Sequence, residues 1–381
     1  MKKNKKLLIL INDLSFFISH RLPIAEAAIT KGFEVVIGYG EAGNSDCKIL
    51  KKKNIKIKHV PISRGSKNLF KDLKTFIHIW NFFKKEKPDI THLVTIKPYL
   101  YGGVIARLMG IPGLVSAISG LGTLFTSNDL KNKFLRLLLY PIFKFAFNHS
   151  NQKIIVQNFD DSNLLSEWGV LDLKKVLLIR GSGVKPNKIP DKSFLNEMPV
   201  ITFASRLIKE KGIYDYIEAA SIIKDRGLKA KFYLAGDFDI KNPSGLNSYD
   251  LDIIRRKGHV EIIGYKKNIQ KLYSISDIVC LPSYREGLPK ALLEAAAAAK
   301  VIVTTDVPGC RDTVIHKKTG LLVPVKNPLK LADAFQWLIE NPKERIKMGK
   351  AGREYAKKEF LLEKVVKTHL FLYQELLNKI K

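Results

Sequence analysis

Short apolar runs alternate with longer amphipathic stretches along most of this chain, and the alternation leaves few architectures open. Leu7–Ile11, Glu34–Ile37, Ile55–Val60, Ile90–Val94, Leu114–Ile118 and Lys153–Val156 read as strands, and Pro23–Lys31, Leu69–Lys87, Tyr99–Met109 and Leu130–Phe147 as the helices between them. Strand and helix in this order imply a parallel sheet covered on both faces. The pattern pauses at the Gly/Pro-rich segment Gly181–Pro190 and restarts with strands Val200–Ala204, Lys231–Ala235, Val260–Ile263, Ile278–Leu281 and Val301–Thr304. Helices near Tyr214–Arg226, Ile269–Ser274 and Pro289–Ala299 separate these, and several helices close the chain, the last near Leu361–Ile380. The expected fold is α/β: two Rossmann-like domains, residues 1–184 and 185–360, facing a cleft, with a C-terminal helix, 361–381, packing back on the first.

Composition narrows the function classes. With 46% hydrophobic and 27% charged residues the chain is globular, which excludes a mostly disordered or fibrous protein. Cys47, Cys280 and Cys310 are odd in number and scattered, so they fit neither a disulfide framework nor a zinc site and point to a reducing compartment. The basic start followed by Leu7–Ile11 imitates a signal peptide, but Asn12 and Asp13 end the apolar run too soon. Leu108–Asn128 carries no charge, yet Gly110, Pro112, Gly113, Gly120 and Gly122 suit loops and a strand rather than a membrane helix. The net charge is +29, and residues 51–150 hold 18 Lys/Arg against 4 Asp/Glu. That region faces something anionic or is simply well solvated; nucleic acid, anionic lipid and a phosphorylated substrate all fit.

Some motifs mislead. Gly38-Tyr-Gly-Glu-Ala-Gly43 matches a dinucleotide-binding pattern but follows the second strand, and no acid stands about 20 residues on, so it reads as a flexible loop. Asp237-Phe-Asp239 and Asp250-Leu-Asp252 look like metal-binding triplets without the accompanying ligands, so no metal is expected.

The strongest segment is Leu281-Pro-Ser-Tyr-Arg-Glu-Gly-Leu-Pro-Lys-Ala-Leu-Leu-Glu294. A strand ends at its start, and Pro289 suits the first helical turn, where an N–H has no partner. The backbone of Gly287, Leu288 and Pro289 then meets the positive end of a helix dipole, which suits a phosphate. Glu294 lies ~7–8 Å further along the axis than Pro289, so Glu286 and Glu294 bracket a diphosphate and accept hydrogen bonds from sugar hydroxyls. On spacing alone a capping Glu and an exposed Glu fit equally well. In Phe203-Ala-Ser-Arg-Leu-Ile-Lys-Glu-Lys-Gly212, Arg206 and Lys211 flank a strand-to-helix turn and can neutralise a diphosphate leaving group, although taken alone they read first as a solvated basic turn.

Together the two segments resemble the retaining glycosyltransferases of family 4, which have the GT-B fold. Glu286 and Glu294 match that family's E-x7-E motif, and Arg206 with Lys211 its R-x4-K pair. The resemblance extends over Phe17–Ala25, Thr95–Pro98, Ser119–Gly122, Gln157-Asn158, Gly181–Val184, Asn242–Ser244 and Asp306–Cys310. It is nearest to bacterial enzymes that extend lipid-linked O-antigen, capsule or glycoprotein oligosaccharides from UDP-N-acetylhexosamine-type donors.

The resemblance implies that Glu286 holds donor-sugar hydroxyls, Glu294 the ribose, and Arg206 and Lys211 the diphosphate, with no metal or other cofactor. His20, Lys97, Ser119 and Gly120 would line the acceptor side, and movement at Gly181–Gly183 would assemble the site. It further implies front-face attack by the acceptor, and a cytoplasmic enzyme peripheral to the inner membrane, where the basic first half meets anionic lipid. By their residues alone, His20 is equally a packed or capping histidine and Lys97 a loop lysine. Leu130–Phe147, apolar nearly all round and interrupted by Pro141, is either a kinked core helix or a membrane-contact face. Two departures stand out: Ala299-Lys300-Val301 replaces the usual Gly-Lys-Pro, and Lys185 stands where an Asp often follows Gly-Val. Two other functions remain open, a UDP-sugar 2-epimerase of the same architecture and a nucleic-acid-binding protein, although no nucleic-acid motif is present.

Overall fold

The computed structural model describes residues 5–62, 69–122, 125, 130–186, 198–239, 242 and 244–380. The chain divides into two compact units, one formed by Met1–Ser182 with Glu363–Lys381, the other by Gly183–Leu362. Unit one runs β1 (Lys6–Asp13), α1 (Leu14–His20), α2 (Leu22–Thr30), β2 (Glu34–Glu41), α3 (Asp46–Lys52), β3 (Lys56–His59), α4 (Leu69–Glu86), β4 (Ile90–Val94), a π turn at Pro98–Gly102, α5 (Gly103–Leu108), β5 (Gly113–Ala117), α6 (Leu130–Ala146), β6 (Gln152–Val156), α7 (Phe159–Glu167) and β7 (Val176–Leu178). Unit two contains β8 (Val200–Ala204), α8 (Ile213–Asp225), β9 (Lys231–Ala235), α9 (Ser248–Lys257), β10 (Glu261–Ile262), α10 (Ile269–Ile275), β11 (Ile278–Leu281), α11 (Lys290–Ala297), β12 (Val301–Thr305), β13 (Gly320–Val323), α12 (Pro328–Glu340) and α13 (Pro342–Glu359). The last helix, α14 (Leu362–Asn378), belongs to unit one from Glu363 onward.

Both sheets are wholly parallel, in the orders β3-β2-β1-β4-β5-β6-β7 and β10-β9-β8-β11-β12-β13. Strand β1 shows why its sequence must be apolar at every position. Leu8 and Leu10 enter a core with Phe82 and Phe83 of α4, Ile105 of α5 and Phe143 of α6. Leu7, Ile9 and Ile11 point the other way, against Ile24 of α2, Leu50 of α3 and Val365, Leu372 and Leu376 of α14. A strand covered on both faces has no place for a polar alternation.

In unit one the strand order reverses between β1 and β4, which pair side by side with Ile11 opposite Val94. In unit two it reverses between β8 and β11, with Phe203 opposite Cys280. Such switch points open a crevice beyond the strand C-termini, where parallel α/β sheets hold their ligands. The chain leaves unit one after Ser182 and returns at Glu363. Next to these crossings the two passing segments are tied together, Val184 N–H donating to the Phe360 carbonyl at 2.8 Å and Leu362 N–H to the Val184 carbonyl at 3.0 Å.

Three expectations need correction. Gly38 and Gly40 lie inside β2, which pairs with β1 and β3, rather than in a flexible loop, and a Cβ on Gly40 would sit 2.2 Å from the Ile62 carbonyl oxygen. The predicted helix Tyr99–Met109 is a π turn followed by the shorter α5. Pro289 caps α11 instead of occupying its first turn: its backbone is extended, and its carbonyl accepts from the N–H of Leu292 and of Leu293. Of the Gly181–Pro190 segment, 187–190 lie outside the described residues, as does Pro243 of Asn242–Ser244.

Candidate active site

The donor-side candidates come from neighbouring strands of unit two. Arg206 and Lys211 follow β8, and Glu286 follows β11, so all three stand after strands that flank the reversal of strand order. Lys211 Nζ donates to Glu286 Oε1, in a pair whose side chains are only 15% and 12% exposed. The same Glu286 oxygen accepts from Ser283 Oγ at 2.7 Å, and Ser283, fully buried, also donates to the Glu210 carbonyl. Thr305 of β12 donates to the Ser283 carbonyl, so three successive strands fix this loop. The Glu286 N–H donates to the Pro308 carbonyl at 3.1 Å, which places the Asp306–Cys310 turn directly behind it. Cys310 is buried there; burial, then the Glu286 carboxylate, pushes its thiol up to about 12, against the pull of Lys211.

Arg206 is half exposed and does not join Lys211 in the structure; it pairs with Asp239 at 2.9 Å. Each cation of the expected phosphate pair therefore already holds a carboxylate. Glu294 sits one turn into α11, its side chain 20% exposed and 3.5 Å from Lys290. Burial raises its pKa and the Lys290 ammonium opposes the rise. Gly287, Leu288 and Pro289 connect Glu286 to the α11 N-terminus, where the helix dipole is positive.

The acid triplets have structural duties. Asp239 engages Arg206, Asp250 closes a capping box with Asn247 at the start of α9, and Asp252 faces Arg255 at 3.4 Å. Among the described residues no group of three or more His, Cys, Asp or Glu is placed to hold a metal ion.

The acceptor-side candidates lie in unit one, beyond the C-terminal ends of β1, β4 and β5. His20 ends α1, its ring stacked on Phe16 at 4.0 Å and its Nδ1 2.6 Å from Ser19 Oγ. Lys97 is held by Asp72 of α4 at 2.6 Å, both side chains 18% exposed. Ser119 Oγ is buried with no hydrogen-bond partner among the described residues, and Gly120 beside it has φ +110°.

Sequence reasoning passed over several residues that shape these sites. Thr95, at the end of β4, has φ +77°, a left-handed conformation that is strained for a β-branched residue, and its hydroxyl donates to Asn12 Oδ1 at 3.0 Å. Asn12, Asp72, Asp239 and Ser283 each act on a partner through space. Thr95, Asp239 and Ser283 stood inside segments already singled out, but nothing in the sequence paired them with these partners.

Two family models match the chain, one described as glycosyl transferase 4-like over residues 6–158, the other as glycosyl transferases group 1 over residues 184–355. Between them they span most of the sequence and both units. The chain belongs to the family-4 type of glycosyltransferase. Curated relatives agree. An N,N'-diacetylbacillosaminyl-diphospho-undecaprenol alpha-1,3-N-acetylgalactosaminyltransferase of Campylobacter jejuni is 27% identical, covering 88% of this chain and 90% of that one. A capsular polysaccharide biosynthesis glycosyltransferase of Staphylococcus aureus is 28% identical over 83% and 84%. Among solved structures, sucrose-phosphate synthase from Thermosynechococcus elongatus matches with TM-score 0.81 and 18% identity over 98% of this chain and 99% of that one. Anabaena HepE matches with TM-score 0.78 and 15% identity over 97% and 100%. These likenesses establish the GT-B fold of the glycosyltransferase, with its two parallel-sheet Rossmann-like domains.

Proposed function

We propose that this glycosyltransferase moves a sugar, an N-acetylhexosamine such as GalNAc, from a UDP-sugar to a polyprenyl-diphosphate-linked saccharide in bacterial surface-polysaccharide or glycan assembly, with retention of anomeric configuration. The observation that carries the reading is the Lys211–Glu286 pair at the β8/β11 switch point, with Arg206 arriving from the same side of β8. The names of the relatives support the acceptor class and are the reason for choosing GalNAc.

On this reading the diphosphate takes over Arg206 and Lys211 from their carboxylate partners. Glu286 is thereby released toward the sugar hydroxyls while Ser283 keeps it oriented, and Glu294 receives the ribose. The bond from the anomeric carbon to the diphosphate oxygen breaks, and the acceptor hydroxyl bonds to that carbon on the same face. Its proton passes to the leaving phosphate oxygen. Arg206, Lys211 and the α11 N-terminus stabilise the charge that develops on the leaving group, work for which no metal is needed. In unit one, His20, Lys97, Ser119 and Gly120 serve the acceptor, the Ser119 hydroxyl, without a partner among the described residues, being an open hydrogen-bonding position. The enzyme works as a peripheral protein at the cytoplasmic face of the inner membrane.

Calorimetric titration of UDP, GDP and several UDP-sugars, with EDTA present, tests the donor half. UDP binding that Glu294→Ala and Arg206→Ala abolish supports it; absence of any nucleotide binding refutes it. Product NMR reads the anomeric configuration. Release of UDP and free sugar without an acceptor would favour the 2-epimerase instead.

A further inference from the structure

We infer that unit one docks on an anionic lipid bilayer through the outward faces of α4 and α6, which deepens and rests on the lipid-linked acceptor proposed above. Helix α6 carries Leu130, Phe134, Leu137, Leu138 and Ile142 at 84%, 61%, 69%, 54% and 36% exposure. At 100° per residue they form one continuous stripe. The opposite side of the same helix sends Phe143 and Ala146 into the core. The helix is thus apolar twice, once for the protein and once for something else. Its sequence holds Lys131, Lys133, Arg136 and Lys144 and no acidic residue. On the helical wheel Lys133 and Lys144 border the stripe on one side, and Lys131 lies within its other margin, between Leu138 and Ile142.

Helix α4 repeats the arrangement. Phe70, Leu73 and Ile77 are 82%, 59% and 49% exposed at helical spacing, while Ile79, Phe82 and Phe83 pack inward on the same sheet face that α6 covers. The acid nearest this stripe, Asp72, is engaged by Lys97. Helices that link parallel strands run against them, so the first halves of α4 and α6, which bear the stripes, lie toward the strand C-terminal ends. Thr95, Lys97, Ser119 and Gly120 follow β4 and β5 at that same end of the sheet. The apolar surface therefore stands beside the residues proposed to meet a lipid-linked acceptor.

Charge selects the occupant. Residues 51–150 hold 18 basic against 4 acidic side chains, and an apolar stripe with cationic margins suits the headgroup boundary of an anionic membrane. A second copy of the same face would bring like charges together.

Flotation with vesicles of phosphatidylethanolamine and phosphatidylglycerol, compared with pure phosphatidylcholine, tests this. The wild type should float with the anionic vesicles. The triple variant Phe134→Ser/Leu137→Ser/Leu138→Ser should bind them about tenfold or more weakly, its UDP titration unchanged. Lys131→Gln/Lys133→Gln should weaken binding mainly at low salt. Wild type that ignores anionic vesicles, or a triple variant that floats as well as wild type, overturns the inference. So does a wild-type dimer that the triple variant splits without any vesicle binding, which would make the stripe a contact between copies. With an acceptor on a short water-soluble tail, the triple variant should transfer sugar at the wild-type rate, and with the polyprenyl form in vesicles it should be slowed. A wild type inactive on both acceptors refutes the proposed function and leaves the flotation result to decide the docking.

Discussion

Lys211 and Glu286, 75 positions apart in the chain, hold each other across the β8/β11 switch point with most of both side chains shielded from water. Removing one partner strands the other. Lys211→Met and Glu286→Gln should each lower stability by about 1–3 kcal/mol, and the double variant by less than their sum. Denaturant unfolding of the two singles and the double checks this. All three variants should lose sugar transfer, because the diphosphate and the sugar hydroxyls lose their contacts.

Gly309 supports Glu286 from behind. Its φ is +79°, and a Cβ there would lie 2.3 Å from the Glu286 carbonyl oxygen and 2.6 Å from that of Gly287. Gly309→Ala should cost ~1–3 kcal/mol. By shifting Glu286 on the order of 1 Å it should also lower turnover about a hundredfold. A variant with wild-type turnover would show that the Glu286 backbone position is not critical.

Ala299 marks the opposite situation, a residue where glycine would fit better. It follows the α11 cap with φ +56°, its N–H donating to the Ala296 carbonyl, while the Lys300 N–H reaches back to Ala295 at 3.0 Å. That is a Schellman ending with alanine at the left-handed position. Ala299→Gly should stabilise the protein by about 0.5–1 kcal/mol, measured by denaturant unfolding, with UDP binding unchanged. The departure from Gly-Lys-Pro thus strains the helix end without breaking it.

Acid should destabilise unit one through two buried imidazoles. His92 donates to or accepts from Tyr373 Oη at 2.7 Å, and His369 stacks beside it at 5.7 Å. Burial, with the neighbouring Arg21 charge adding to it, holds both pKa values down, that of His369 to about 3. The folded state keeps the rings neutral while the unfolded chain protonates them below about pH 6.5. Stability is therefore full above that pH and falls on acidification from about 6.5 toward 3, by up to ~1.4 kcal/mol per pH unit for each histidine. His369→Gln should roughly halve that slope in denaturant melts run between pH 7 and 4.

The sequence was most legible where a strand is buried on both faces. β4, β8 and β11, buried at every position, begin and end where the sequence places them, as does the partly exposed β9. β7 escaped because it has only three residues, all of them half-buried, and β13 was missed as well. Helix α7, Phe-Asp-Asp-Ser-Asn-Leu-Leu-Ser-Glu, is too polar to show a stripe; its start is fixed by the Asn158 cap on Asp161 N–H. In the candidate site, charged residues after strands were visible as motifs. Their partners were not: Asp239 and Asp72 meet Arg206 and Lys97 through the tertiary fold, and Ser283 reaches Glu286 by the bend of their shared loop, which the residue types alone do not encode. The phosphate pair was legible as two cations, but not that each one begins occupied by a carboxylate.

The division of unit one into two stretches of sequence has a consequence for synthesis. Val365, Leu372, Tyr373 and Leu376 of α14 cover the sheet face formed by Leu7, Ile9 and Ile11, yet unit two stands between them in the chain. On a ribosome adding about 5–20 residues per second, that face waits roughly 10–40 s for its cover after β6 has emerged. Gly183–Leu362, continuous in sequence, can close its own core in the interval. The nascent first sheet must therefore be kept from sticking to its neighbours until the last helix arrives.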